Sequence, residues 1–130
     1  AFLQKRVQRV QNAAAGFVLN RFCSEKDVLE LGWLPTLENT QLNVLKFGHR
    51  ALFSEAWPEY LQLPRHNPQR TLRSSNAPVI EIPLIKGTFQ DSLATLFNPL
   101  PANVRRCQDF YSFKNDCFKI LKSRASTRLS

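Results

Sequence analysis

The sequence predicts a mainly α chain: a small helical bundle of about four to six helices, with a proline-rich basic loop and one candidate short strand. Three observations predict it. Apolar residues recur at alternating steps of three and four in several separate segments, while Gly and Pro cluster in the stretches between them. The chain has 130 residues, 43% of them hydrophobic, which is the size and composition of one globular domain able to bury roughly two thirds of its unfolded surface. With Phe 10 and Met 0, phenylalanine must supply much of the bulk of that core.

The first helix is read from Leu3, Val7, Val10, Ala14 and Phe17, whose spacing makes one narrow apolar stripe expected to face the core. Lys5, Arg9 and Asn12 then fall on the opposite face, with Gln8 beside them and Arg6 nearer the boundary. Gly16 weakens the last turn by about 1 kcal/mol relative to Ala and marks a place for the helix to end or bend. Ser24 followed by Asp27 reads as an N-cap with an acid in the first turn, and "DVLEL" as a short helix stopped at Gly32. Pro35 suits the first turn of the next helix, in which Leu34, Leu37, Leu42, Leu45 and Leu52 form the stripe and His49 lies close to it. Pro58 opens a further short helix, "PEYLQL".

Residues 64–78, "PRHNPQRTLRSSNAP", disfavour regular structure and read as a loop. "VIEIPLI" alternates and is β-branched, a short strand that Pro83 confines to an edge. "TFQDSLATLF" is another short helix closed by the prolines of "NPLP". The last amphipathic helix runs through Phe110, Phe113, Cys117 and Leu121. Trp33 and Trp57, each near a proline, fit helix-junction core plugs better than base-stacking platforms, because no basic residues crowd them.

The formal charge of +8 is unevenly distributed. Residues 1–21 carry Lys5, Arg6, Arg9 and Arg21 and no acid; residues 24–61 are net acidic; Arg65, Arg70 and Arg73 make the middle loop basic, and the last twenty or so residues are basic again. Both ends and the loop can therefore face a polyanion. Cys23, Cys107 and Cys117 are widely spaced and odd in number, which reads as a reduced, intracellular setting, cytoplasmic or nuclear. No apolar run approaches the roughly 20 residues of a membrane span, so no membrane partner is expected. Helical periodicity begins almost at Ala1, as in a piece cut from something longer.

Catalysis finds no support in the residue pattern. Metal-dependent phosphoryl transfer needs grouped carboxylates, whereas Asp27, Asp91, Asp109 and Asp116 are scattered. His49 and His66 lack a Cys or acid at metal-ligand spacing, and Ser74 and Ser75 lie in no nucleophile elbow, so no catalytic residue, metal or cofactor is expected. The basic first helix is a better candidate: Lys5, Arg6, Arg9 and Asn12 can donate to successive phosphates without reading sequence, with Arg65, Arg70 and Arg73 of the loop as a second contact. The plain alternative is a solvated face of a core helix. A targeting peptide is a further alternative, although residues 1–23 up to Cys23 contain no Ser or Thr and run straight on into the next helix.

Seven phrases, "LQKRVQRVQNAAAGFVLN", "LELGWLP", "WPEYL", "LRSS", "GTFQDS", "LFNPLPANVR" and "FYSFKNDCFKIL", occur in this order over nearly the whole chain. Together they resemble the segment after the polymerase palm in LINE-like, non-LTR retrotransposon reverse transcriptases of the jockey and chicken-repeat kind. The resemblance implies that residues 1–63 are a thumb-like helical region lying along the primer-template duplex, that 64–78 are a basic loop, and that 79–130 are a C-terminal helical extension, all in one compact domain. It assigns Lys5, Arg6 and Arg9 to phosphate contact and leaves the catalytic aspartates upstream, in the palm. The pattern departs from the family at Gly16 and Phe17, where relatives often carry a basic and an aliphatic residue, at Phe97, usually Trp, and at "TLENTQ", often arginine-rich. These departures weaken the case for a nucleic-acid grip by the second helical region.

The expected function is therefore a non-catalytic nucleic-acid-binding segment of an RNA-directed DNA polymerase, with RNA or an RNA/DNA hybrid as partner and the upstream palm beside it. The runner-up is a helical protein-interaction module, or a remnant of a mobile element. A sequence-specific DNA-binding domain is disfavoured because no helix presents a recognition pattern.

Overall fold

The computed structural model describes residues 2–54, 56, 58 and 78–130. The chain is mainly helical, with α1 (Phe2–Leu19), α2 (Glu25–Glu30), α3 (Thr36–Phe53), α4 (Phe89–Phe97), α5 (Ala102–Arg106) and α6 (Phe110–Leu129) among the described residues. Two compact units divide it. One comprises Ala1–Leu42 and Phe118–Ser130, the other Asn43–Cys117, and the divisions fall within α3 and α6. All of the expected "PEYLQL" helix but Pro58, most of the 64–78 loop, His66 and Trp57 lie outside the described residues.

In the first unit α2 begins as expected. The Asp27 carboxylate accepts the Ser24 backbone N–H at 2.8 Å and the Ser24 hydroxyl at 3.1 Å, satisfying a donor that the helix start would otherwise orphan. Gly32, at φ +85°, ends the segment in the left-handed conformation open to glycine. Val28, Leu34, Leu42, Leu121 and Ala125 are buried in this unit. Glu38 is buried as well, at 3% exposure, and its carboxylate accepts from Arg128 at 2.9 and 3.1 Å. Trp33, expected as a core plug, is 38% exposed.

The first helix turns out to be packed on a different face from the one its apolar spacing predicts. Leu3, Val7, Val10, Ala14 and Phe17 are exposed, Val10 at 71% and Phe17 at 90%, and the buried residue is Ala15. The physical reason is a hydrogen-bond demand. The backbone of the turn before α3 needs partners, and α1 supplies them: Gln8 Oε1 accepts the Thr36 N–H at 2.8 Å, and Gln11 Nε2 donates to the Leu34 carbonyl at 2.7 Å. Gln8 also donates to Gln11 and to Asn12, at 2.8 and 2.9 Å, which locks the row of amides together. A glutamine face thus caps α3 while the apolar stripe points to solvent.

In the second unit the core is Leu45, Ile80, Leu93, Ala94, Phe97, Leu100, Val104, Phe113 and Cys117, which includes the α6 positions Phe113 and Cys117 named by their spacing. Gly48 is buried against Leu93: a Cβ there would overlap the Leu93 side chain, which would have to move. His49 is 3% exposed, and its Nε2 lies 3.0 Å from the Cys107 carbonyl, so that nitrogen carries the proton. Phe53, Phe110 and Phe113 surround the imidazole.

The short strand expected at "VIEIPLI" does not form among the described residues. Ile80 makes only an isolated bridge, and the Asn98 side-chain amide accepts its N–H at 2.9 Å and donates to its carbonyl at 2.9 Å. Gln90 likewise donates to the Glu81 carbonyl at 2.9 Å. Arg105, buried beside this segment, donates to the carbonyls of Leu100 and Pro78. At the start of α4, Thr88 accepts the Asp91 N–H at 3.2 Å and the Asp91 carboxylate accepts the Gly87 N–H at 3.0 Å.

Candidate nucleic-acid interface

Packing of the glutamine face leaves α1 with two exposed faces. One is the apolar stripe. The other is basic: Lys5, Arg6 and Arg9 are all exposed and α1 carries no acid, as the charge pattern predicts. The Arg6 guanidinium lies over the Phe2 ring, 5.6 Å from its centroid. Asn12, also expected to point outward, is half-buried, with its Oδ1 held by Gln8. Arg65, Arg70 and Arg73 lie outside the described residues.

The C-terminal end of α1 adds residues that the sequence pattern did not assign to the site. Asn20 has φ 53°, and the Arg21 N–H reaches back to the Gly16 carbonyl at 3.2 Å, the hydrogen bond of a Schellman-type helix end. Gly16 therefore does not end the helix, which continues to Leu19. Its role is close approach, because a Cβ at this position would stand 2.8 Å from the Arg21 carbonyl oxygen.

That turn folds the following residues back beside the basic face. Arg9, Asn12, Ala13, Gly16, Asn20, Arg21, Phe22 and Cys23 line one open groove of about 640 Å³. Arg21 donates to Asp27 Oδ1 at 2.9 Å, and this bond raises the arginine's affinity for its proton. The Asp27 carboxyl is held below its ordinary range, first by the Ser24 N–H and then by Arg21. Phe22, in contrast, is fully exposed. The groove thus brings together Arg9 and Asn12, which the sequence named, with Arg21 and Phe22; Lys5 and Arg6 do not line it. The signal available in advance was Asn20, a residue type that tolerates the left-handed turn.

Such an arrangement offers cations and amides to phosphate oxygens and an aromatic face to a flat ligand. Among the described residues no three His, Cys, Asp or Glu side chains gather as they would around a metal ion, and no helix is long and apolar enough to cross a membrane. Compared with protein-family models, curated proteins and solved structures, the chain matches none.

Proposed function

We propose that this chain is a non-catalytic, nucleic-acid-binding segment of a retrotransposon-type RNA-directed DNA polymerase, gripping primer-template or element RNA through backbone phosphates in an intracellular setting. The observation that carries the reading is the exposed, acid-free row Lys5, Arg6 and Arg9 on α1, continuous with the groove that holds Arg9, Asn12 and Arg21. Phosphate neutralisation by such residues releases counterions, so affinity must fall steeply as salt rises. The resemblance of the ordered phrases to LINE-like polymerases is what favours RNA or RNA/DNA hybrid over other polyanions in this reading.

The test is titration of a labelled RNA/DNA hybrid at several salt concentrations. Engagement of five or six basic residues gives a slope of about −4 to −5 in a log-log plot. A flat response, or no binding at low salt, would sink the reading.

A second reading, a helical protein-interaction module, is favoured by the exposed stripe of Leu3, Val7, Val10 and Phe17, since amphipathic helices bury such stripes against a partner. The two readings use different faces of α1. Replacing Val10 and Phe17 by Ser leaves hybrid binding unchanged if phosphate contact is made by the basic face alone.

A further inference from the structure

We propose that the groove at the end of α1 is a site for one unpaired nucleotide, whose base stacks on Phe22 and whose phosphate is held by Arg9. The inference rests on the nucleic-acid reading above and deepens it, because it names the form of nucleic acid that the site prefers.

The argument starts from the exposure of Phe22. Burying a phenylalanine side chain is worth about 1.5–3 kcal/mol, yet this ring is fully open to solvent. It is not on a loosely tethered loop. On its N-terminal side the Arg21 N–H closes the turn onto the Gly16 carbonyl, and on its C-terminal side the Ser24 N–H is fixed to Asp27. The Arg21–Asp27 bond bridges the two turns from one side of Phe22 to the other. The backbone carrying the ring is therefore held in place before any ligand arrives, which reduces the entropy lost on binding.

The other groove residues fit the remaining parts of a nucleotide. Arg9 is exposed and matches phosphate in charge and geometry. Asn12 commits its Oδ1 to Gln8, which leaves its Nδ2 to donate to a sugar or base oxygen. At about 640 Å³ the groove falls in the range of pockets for small organic ligands, about 300–1,000 Å³. A base can meet an aromatic face only when it is unstacked, so the ligand is a single-stranded or splayed nucleotide, not a base within a duplex. Arg21 is partly neutralised by Asp27 and serves mainly to hold the turn.

The experiment compares three labelled RNA/DNA hybrids: blunt, with a short single-stranded overhang, and with the same overhang lacking its bases. The abasic form carries the same added phosphates, so the difference between the two overhangs isolates stacking. One stacked base strengthens binding by about 5- to 150-fold. Phe22→Leu removes the difference between the normal and abasic overhangs, and Phe22→Trp keeps it. Equal affinity for the normal and abasic overhangs would overturn the nucleotide site while leaving phosphate gripping intact. Equal weakening of blunt and overhang hybrids by Phe22→Leu would overturn it too, because the ring would then act on the duplex. Absence of binding by all three hybrids at low salt would sink the nucleic-acid reading itself, and the site with it.

Discussion

Arg128 and Glu38, ninety positions apart in sequence, form a two-pronged ion pair in which Nε donates to Oε1 at 2.9 Å and Nη2 to Oε2 at 3.1 Å. Nη2 also reaches Glu25, so one guanidinium serves carboxylates of α2 and α3. Glu38 is the buried partner and Arg128 is 37% exposed in its side chain, so the penalty for breaking the pair falls on Glu38. Replacing Arg128 with Ala strands a buried carboxylate. The expected cost is about 2 kcal/mol, below the 3–5 kcal/mol or so of a fully buried pair because water already reaches the arginine. Replacing Glu38 by Gln together with Arg128 by Ala should cost less than the Arg128 change alone, because no buried charge is then stranded. Chemical denaturation of the two single variants and the double variant checks this, and strict additivity would count against the pairing.

The Gly16–Arg21 approach is the second point of leverage. A methyl group at Gly16 meets the Arg21 carbonyl oxygen at 2.8 Å, and backbone cannot swing aside as a side chain can. Although Ala is the better helix former by about 1 kcal/mol, Gly16→Ala is expected to destabilise the chain, by about 1–2 kcal/mol. Asn20→Gly should be neutral or mildly stabilising at its positive φ, whereas Asn20→Val should be costly. Thermal melts of the three variants decide it: a more stable Gly16→Ala chain would mean that Arg21 does not close the turn onto Gly16.

Much of this architecture was legible in the sequence. The Ser24–Asp27 start of α2, the stop at Gly32, the stripe of Leu34, Leu42 and Leu45, and the buried positions Phe113, Cys117 and Leu121 all follow from spacing and capping chemistry. The packed face of α1 did not, for a definite reason. Periodicity reveals that a stripe exists, but not whether another demand outweighs its burial, and here the unpaired backbone around Leu34 and Thr36 recruits Gln8 and Gln11. At Ile80 the alternating pattern could not show that the side chain of Asn98, eighteen positions on, would meet the N–H and carbonyl of a lone bridge residue. Of the candidate site, the basic residues of α1 were visible as charge. Phe22 was not, because its place beside Arg9 depends on a turn geometry set by Asn20 and Gly16.

His49 gives the second unit a pH dependence whose sign can be worked out. Burial lowers its proton affinity below the ordinary histidine value, outweighing the Cys107 carbonyl and the nearby Asp109 charge, which both act to raise it. The unfolded chain therefore takes up a proton at this residue near pH 6.5 or so, while the folded chain still resists it. The contribution of neutral His49 to stability is complete above that pH and declines as the pH is lowered towards the folded value. Unfolding free energies measured between pH 7 and pH 5 should fall more for the natural chain than for His49→Gln, whose amide can still donate to Cys107. An equal fall in both would place the titrating group elsewhere.

Charge removal on α1 is the sharpest test of the proposed function, because it separates phosphate contact from the alternatives residue by residue. Lys5, Arg6 and Arg9 are exposed, and none forms an ion pair with a carboxylate among the described residues. Changing all three to Gln should leave the melting temperature almost unmoved, since substitutions at exposed positions are usually within about 0.5 kcal/mol. Binding of an RNA/DNA hybrid should weaken, and its log-log salt slope should become shallower by about two to three units, close to one for each cation taken away. Arg9→Gln alone should account for about one unit and should also reduce the gain from an overhang, because Arg9 is the one cation of the row that lines the groove beside Phe22. An unchanged slope in the triple variant would move the phosphate grip away from α1 altogether.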